Sequence, residues 1–158
     1  MGEVRQEINN AVMALHYSEV EIKKLDSKEG KRVFEELLNH FVKSGDRRWW
    51  WEDFDQDSFD FVDYEKPFNH LVDIIPTLTE NVWLMVEDDQ EDYYPIYDCK
   101  ASIIGNIISE CFGFEYYVID KSKEWLICEN HHKRLIGIGE KLKERNVERI
   151  KRNTKAQH

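Results

Sequence analysis

FEYYVIDKSKEWLICENHHKRLIGIG, residues 114–139, decides the fold of this chain. It contains three short apolar runs separated by two polar turns, and turns this short cannot carry the crossover that parallel strands need. We therefore expect three antiparallel strands. Both faces of the middle run are apolar until Glu129 and Asn130, which predicts a central strand covered on both faces. Its expected core residues are Trp125, Ile127 and Cys128.

Helical patterns dominate the chain before this segment. The spacing of apolar residues predicts one long helix or two short ones over about 3–25, and a second helix over about 28–44 that Gly45 ends. Gly105, inside another helical pattern, indicates close approach to a neighbouring element, since Gly otherwise weakens a helix. Further helices are predicted over about 67–75, 103–111 and 140–152.

The remaining apolar runs predict strands over 47–51, 82–86 and 94–98. Pro95 places the last of them at a sheet edge, because proline cannot donate a hydrogen bond to a neighbouring strand. Helices come first, and strands mixed with short helices follow, so the class is α+β. We expect a single domain, 1–158, with N-terminal helices and short helices packed on one face of a mainly antiparallel sheet.

The charge of the chain restricts its partners. The 158 residues include 32 acidic and 22 basic ones, for a formal net charge of −10 at pH 7. Phosphate backbones and anionic membrane surfaces both need neutralising Lys and Arg, so we expect neither nucleic acid nor membrane as a partner. A basic protein suits this surface, because opposite charge accelerates association.

Cysteine usage and the N-terminus indicate the compartment. Cys99, Cys111 and Cys128 are odd in number, widely spaced and without a CxxC, which argues against a disulfide framework and a zinc knuckle. The chain begins with polar residues and has no apolar run near the roughly 20 residues that span a membrane. We therefore expect a soluble, cytoplasmic protein, and the sequence leaves its oligomeric state open.

The turn after the middle strand carries the first set of candidate site residues, which are Glu129, Asn130, His131 and His132. A carboxylate, an amide and two imidazoles are groups that bind metals or exchange protons. In an extended chain the two imidazoles point to opposite sides, and a zinc site needs three or four ligands in a fixed geometry. A structural turn is the default interpretation, partner recognition is the functional one, and a metal site on Glu129, His131 and His132 is the alternative.

A second set lies where Trp49, Trp50 and Trp51 precede acids that alternate with aromatics. Either a doubly covered strand buries all three indoles, or at least one belongs to an exposed patch, with Trp50 facing opposite to its neighbours. An exposed tryptophan beside an acidic rim suits a basic partner, because Trp is a common interface anchor. The candidate binding residues of this second set are Trp50, Asp53, Asp55 and Asp57.

Another acidic block, 87–92, is predicted to be a solvated turn.

Signatures of common enzymes are missing from the sequence. It has no Gly-rich phosphate loop, no GxGxxG, no GxSxG and no kinase motif. Cys128 lies inside an apolar strand of an acidic protein, whereas a reactive cysteine needs a partly exposed, electropositive setting. We therefore expect no catalytic residue and no cofactor.

Three segments carry a resemblance to known proteins. VWLMVEDD (82–89), EYYVIDKSKEWLICENHH (115–132) and LIGIGE (135–140) resemble a family of small uncharacterised bacterial proteins with an EYY strand, a WL strand and an ENHH turn. This resemblance implies no activity and no catalytic residues. In its small size, acidity and α+β layout the chain is also similar to immunity proteins of bacterial toxin systems of the SMI/KNR type, which implies a toxin as partner.

Three functional hypotheses follow. The leading one is a non-catalytic acidic binding protein, of which an immunity-type protein that neutralises a basic protein partner is one form. The first alternative is a small metal-dependent enzyme that uses Glu129, His131 and His132. The second is a homo-oligomeric structural protein that associates through the N-terminal apolar stripe, which includes Val4, Ile8, Ala11 and Leu15.

Overall fold

The structure is a computed structural model that describes residues 2–45, 50–61 and 65–156, with the side chains of the last helix described as far as Arg152. The helices in these ranges are α1 (Glu3–Ala14), α2 (Ser27–Phe41), α3 (Leu71–Ile74), α4 (Ile104–Ser109) and α5 (Glu140–Ala156). Short 3-10 turns lie at Trp50–Glu52, Pro67–His70 and Ala101–Ile103. The strands are β1 (Ile22–Lys24), β2 (Ser58–Asp60), β3 (Asn81–Val86), β4 (Ile96–Lys100), β5 (Tyr116–Ile119), β6 (Leu126–Glu129) and β7 (Leu135–Ile138).

All the strands in the described ranges form one sheet in the order β1-β4-β3-β5-β6-β7-β2, and every neighbouring pair is antiparallel. The predicted α+β class is confirmed. So is the prediction of three antiparallel strands in 114–139: Cys128 of β6 lies opposite Tyr117 of β5 and Ile136 of β7. The strand β5 is the middle one, and β6 lies directly beside it.

Helices cover both faces of the sheet, whereas we expected them on one face. On one face α2 and the Trp50–Glu52 turn pack against β3 to β7, with Phe34, Leu37 and Trp50 in this core layer. On the other face α1, α3, α4 and α5 form a second layer. The reason is that every side chain of β5 is buried, so both of its faces need an apolar cover. Of the predicted core residues, Trp125 and Ile127 belong to the second layer and Cys128 to the first.

The N-terminal segment differs from the helix predicted over 3–25. The helix α1 ends at Ala14, and Ile22–Lys24 pairs with β4 as the edge strand. As a result β4 lies inside the sheet, and the prediction that Pro95 marks an edge strand is wrong; Pro95 precedes the strand, where its missing N–H does not interrupt the ladder. The apolar stripe of α1 packs on its own sheet, since Ile8 and Ala11 are buried there.

The acidic block 87–92 holds the start of α1 and is not a purely solvated turn. Glu91 accepts a hydrogen bond from the Gly2 N–H (3.1 Å), Gln90 from the Glu3 N–H (3.0 Å) and Asp88 from the Arg5 N–H (3.3 Å). The first N–H groups of a helix lack partners within it, so side-chain oxygens stabilise this end. Asp88 is therefore buried, contrary to the prediction. These contacts fix α1 beside the end of β3.

The predicted strand over 47–51 is wrong in the part that the structure describes, where Trp50–Glu52 forms a 3-10 turn. Residues 46–49, with Trp49, lie outside the described residues. The close approach predicted at Gly105 is confirmed, because a Cβ there would lie 2.7 Å from the Phe68 carbonyl oxygen. No helix in the described ranges is long and apolar enough to cross a membrane.

Candidate functional site at one end of the sheet

The register of the strands brings polar residues together at one end of the sheet. Val86, Tyr116 and Glu129 are paired across β3, β5 and β6. The next residues outward are Glu87, Glu115 and Asn130, and the Glu87 N–H donates to the Glu115 carbonyl oxygen at 3.0 Å. Side chains alternate along each strand, so Glu87 and Glu115 lie together on the face that α2 covers, while Glu129 lies on the opposite face.

Glu115 is the most unusual residue at this end, because its side chain is only 1% exposed. Its Oε2 accepts a hydrogen bond from the Tyr117 hydroxyl at 3.2 Å, and no described donor reaches its Oε1. Burial, and then the hydrogen bond and negative charge of Glu87, raise the pKa of Glu115 to about 9, against smaller opposing effects of Tyr117 and Trp51. At neutral pH Glu115 therefore holds a proton that it can donate to Glu87.

Asn130 shapes the turn that follows β6. Its Oδ1 accepts hydrogen bonds from the backbone N–H groups of His132 (2.9 Å) and Arg134 (3.0 Å), and the side chain is buried. Lys133 adopts a positive φ of 61° within this turn. The local asparagine-to-backbone bonds explain why the chain reverses here. The structure thus gives Asn130 a structural role, while its Nδ2 is buried and has no hydrogen-bond partner among the described groups.

Glu129 is half-buried beside the turn and accepts a hydrogen bond from the Tyr116 hydroxyl at 2.7 Å. Burial raises the pKa of Glu129, an effect that the Tyr116 hydroxyl and the Lys133 charge oppose. Because Glu129 faces away from Glu115 across the sheet, the two carboxyl groups do not act on one ligand.

The turn brings the two imidazoles together instead of separating them. The ring centroids of His131 and His132 lie 4.0 Å apart, and both rings meet the Trp51 indole edge-on, at 5.6 and 5.9 Å. His131 Nδ1 is also 3.9 Å from Glu115 Oε1. Trp51, His131 and Glu115 therefore form a continuous group at the surface of the sheet end.

Trp50 is not part of this group, and its prediction as a binding-surface residue is wrong. It is fully buried and packs on Phe34 and Tyr117, with ring centroids 5.8 and 5.3 Å away. The 3-10 turn explains the difference, since it directs Trp50 into the core and leaves Trp51 half-buried beside the histidines. The tryptophan at the site is the neighbour of the one that we selected.

An acidic cleft of about 480 Å³ opens beside Glu115, between the start of α1 and the sheet end. Its described lining consists of Glu3, Val4, Glu87, Asp88, Asp89, Gln90, Phe112, Phe114, Glu115 and His131. Five of these side chains are acidic, and no described lysine or arginine lines the cleft. Phe112 is 50% exposed at its mouth, and its ring meets that of Phe114 at 6.0 Å. The acidic cleft thus combines negative charge with an aromatic surface.

A second cleft, of about 400 Å³, lies on the other side of Phe114 and His131. Glu129, Asn130 and His131 contribute to its wall, so it contains three of the four residues predicted from the turn. Its lining also includes Lys66 and Lys133, which makes its charge mixed. It therefore lacks the single sign of charge that distinguishes the acidic cleft.

Asp53, Asp55 and Asp57 lie elsewhere. Ser44 donates to Asp53 through its hydroxyl and through its backbone N–H (2.9 Å), which lowers the pKa of Asp53 and ties it to the segment that follows α2. Asp55 and Asp57 are exposed. Asp57 precedes Ser58, which pairs with Ile138 at the end of β7, and this register places it at the opposite end of the sheet from His131. The structure does not bring the two predicted sets together.

Metal and thiol chemistry have no ready-made site in the described ranges. In residues 2–45, 50–61 and 65–156 no group of three or more His, Cys, Asp or Glu side chains is arranged to hold a metal ion. Cys128 is fully buried within the sheet, and burial raises the pKa of its thiol well above the ordinary value. This agrees with its prediction as a core residue.

Sequence reasoning missed Glu87, Glu115, Trp51 and Phe112. Glu115 and Glu87 stand at the ends of apolar runs, where an acid is normally solvated, so neither carried a local signal. A pairing of β3 with β5 would have placed them side by side, but this pairing joins residues about thirty positions apart and is set by the whole sheet.

Of the comparisons with known proteins, one gave a match, to a family of unknown function. No curated protein and no solved structure matched the chain. One family model matched residues 1–150, and its description is "Family of unknown function (DUF6756)". The match covers nearly all of the sequence, including every residue of both clefts. The chain belongs to the DUF6756 family.

Proposed function

We propose that the protein is a non-catalytic binding protein that takes a basic segment of a protein partner into the acidic cleft. The observation that carries this proposal is the composition of the cleft wall, which has five acidic side chains and no described lysine or arginine. Carboxylates gathered in a concave surface produce a negative potential that attracts cations. A cationic ligand is therefore the class that this cleft suits.

The aromatic surface of the cleft favours a protein segment over a simple salt ion. Lysine and arginine side chains have long apolar stems, which pack on rings while the charged group reaches an acid. Phe112 and Phe114 offer such rings in the wall of the same cleft as Glu87 and Glu115. Cations over aromatic faces gain about 0.5–2 kcal/mol in addition.

The charge of the whole chain supports the same partner class. A net charge of −10 repels phosphate-rich nucleic acids and anionic membranes, and it attracts basic proteins over a distance of about 10 Å at moderate salt. Steering of this kind increases association rates and decreases with ionic strength. A protein that neutralises a basic toxin, as immunity-type proteins do, is one member of this class.

Affinity capture from a native host lysate tests the proposal when two charge-reversal variants are compared. Asp89→Lys reverses a charge at the exposed rim of the acidic cleft, and Glu35→Lys makes the same change on the exposed side of α2. We expect wild type and Glu35→Lys to capture the same partner at 50 mM salt and to lose it at 500 mM salt. Asp89→Lys should capture it at least about tenfold less, as a change of some 1.4 kcal/mol implies.

Two results would count against the proposal. One is the absence of any partner at low ionic strength. The other is equal loss of capture by the two variants, because a cleft that binds the partner must respond more strongly than a distant surface with the same change in net charge.

A further inference from the structure

We infer that Glu87 and Glu115 form the innermost subsite of the acidic cleft, which binds the guanidinium or ammonium group of one partner side chain and releases a proton as it does so. This inference rests on the proposed function, and it adds the residues that hold the ligand, its chemical class and a proton that leaves on binding.

The first step is the position of the Glu115 carboxyl group. It belongs to the wall of the acidic cleft, yet only 1% of its side-chain surface is exposed. No described donor satisfies its Oε1. A buried polar atom without a partner is uncommon in folded proteins, and this oxygen is free to accept a hydrogen bond from a further donor.

The second step is the fixed spacing of the pair. The Glu87 N–H to Glu115 carbonyl bond, at 3.0 Å, and the β3–β5 ladder hold the two residues on neighbouring strands. Tyr117 orients Glu115 from the same face through its hydroxyl, at 3.2 Å. Two carboxylates on a rigid sheet match the several N–H donors of a guanidinium group, which binds carboxylates in two-point contacts.

The third step concerns the charges that face the pair. The start of α1 and the loop after β3 contribute Glu3, Asp88 and Asp89, all acidic. From the sheet, Tyr117 and Cys128 are neutral at physiological pH, since burial raises the pKa of both well above the ordinary values. His131 is the imidazole beside the pair, with its Nδ1 at 3.9 Å from Glu115 Oε1.

The fourth step is the proton balance. Without a ligand, Glu115 keeps a proton because burial and the charge of Glu87 disfavour a second carboxylate. A bound guanidinium group supplies the missing positive charge, so Glu115 loses its proton to the solvent and the ion pair replaces the acid pair. One proton leaves for each cation that enters, and no covalent bond changes.

An N-acetylated heptaarginine amide peptide tests the inference by calorimetry, because its blocked N-terminus does not titrate and arginine stays charged and cannot itself release the proton. Titrations at pH 8 in two buffers of different ionisation enthalpy give the number of protons released per peptide bound. All proteins carry His131→Gln, so that this imidazole does not contribute. For a pKa near 9 we expect about 0.9 proton from this background and almost none after Glu115→Gln is added.

The affinity supplies a second readout with a matched control. Between pH 7 and pH 8 the dissociation constant of the Glu115-containing protein should fall close to tenfold, whereas that of Glu115→Gln should stay constant. Glu35→Gln, an identical change on the exposed side of α2, should behave like the background in both readouts. Cooperative thermal unfolding of each variant verifies that it is folded.

Three outcomes overturn the inference. Proton release that is equal with and without Glu115→Gln shows that another group titrates. Proton release near zero in the background shows that the pair does not change its protonation. No binding of the peptide shows that the subsite does not take a basic side chain. The capture experiment with Asp89→Lys decides the proposed function independently of all three.

Discussion

Replacing Glu115 by glutamine should stabilise the protein, and the gain should increase with pH. Glutamine has nearly the same shape as a protonated glutamate and can still donate a hydrogen bond to Glu87, but it cannot ionise. In the folded protein the pKa of Glu115 is raised from 4.5 to about 9 by burial and by Glu87. In the unfolded chain the same group ionises near its ordinary pKa, so above that pH the unfolded state binds fewer protons than the folded state.

The sign and the size of the effect follow from this difference. Below a pH of about 4.5 Glu115 is protonated in both the folded and the unfolded state, so its ionisation does not lower the free energy of unfolding. As the pH rises towards 9, the folded state loses stability by up to about 1.4 kcal/mol per pH unit. At pH 7 the accumulated cost is on the order of 3 kcal/mol, which glutamine removes. A gain of this size is a substantial fraction of the total stability of about 5–15 kcal/mol that is typical of domains.

Urea unfolding at pH 5.5, 6.5, 7.5 and 8.5 measures the effect, with Glu35→Gln as the control for an exposed glutamate. The difference in unfolding free energy between Glu115→Gln and wild type should be small at pH 5.5 and increase steadily to pH 8.5. The difference for Glu35→Gln should stay within about 0.5 kcal/mol at every pH. A Glu115→Gln variant that is less stable than wild type at pH 8.5, or equally stable at all four values, would refute the protonated pair.

Substitutions at Trp50, Asn130 and Gly2 test the structure around the site. Trp50→Ala should cost about 3–5 kcal/mol of stability in urea unfolding because it empties a fully buried position, and a smaller cost than that of Trp51→Ala would contradict its core placement. Asn130→Ala should cost about 1–3 kcal/mol by leaving two backbone N–H groups of the turn without their acceptor, whereas Asn130→Asp, which keeps the acceptor oxygen, should cost less. Gly2→Ala should destabilise the packing of α1 by about 1–3 kcal/mol, because its Cβ would overlap the Asp88 carboxyl group, and unchanged hydrogen exchange in α1 would count against it.

The parts of the fold that the sequence predicts are those set by local patterns. The pattern in 125–130 identified Trp125, Ile127 and Cys128 as core residues, because successive side chains of a strand point to opposite faces and both sets are apolar here. The helix predicted over 28–44 is present as α2 because its apolar face and the Asp26 cap are local signals; the Asp26 carboxylate accepts a hydrogen bond from the Glu29 N–H at 2.8 Å.

The parts that it did not predict depend on distant partners. Ile22–Lys24 continues the apolar spacing of the preceding helix, and pairing with Ile96–Lys100 makes it a strand. The edge position predicted from Pro95 was wrong because β1 pairs with the outer side of β4. The sequence around Pro95 carries no sign of this distant pairing. Such long-range pairing overrides local preference.

The candidate site shows the same division. The turn residues 129–132 were found from their composition, and the structure places His131 at the acidic cleft. Glu115 was missed because the groups that interact with its carboxyl group, Glu87, Tyr117 and Trp51, come from three separate parts of the chain. An acid at the start of a strand is ordinarily solvated, so its importance appears only with the tertiary structure.

Backbone amide NMR during a titration with heptaarginine amide tests the central claim most directly, because it locates the bound cation on the protein. The account predicts that signals of Glu87, Phe112, Glu115 and His131 shift together and saturate at low salt, while those of Asp57, at the other end of the sheet, and of the exposed Asp55 stay nearly unchanged. Shifts that spread evenly over the acidic surface, or that concentrate at Asp55 and Asp57, would contradict a cation site in the acidic cleft.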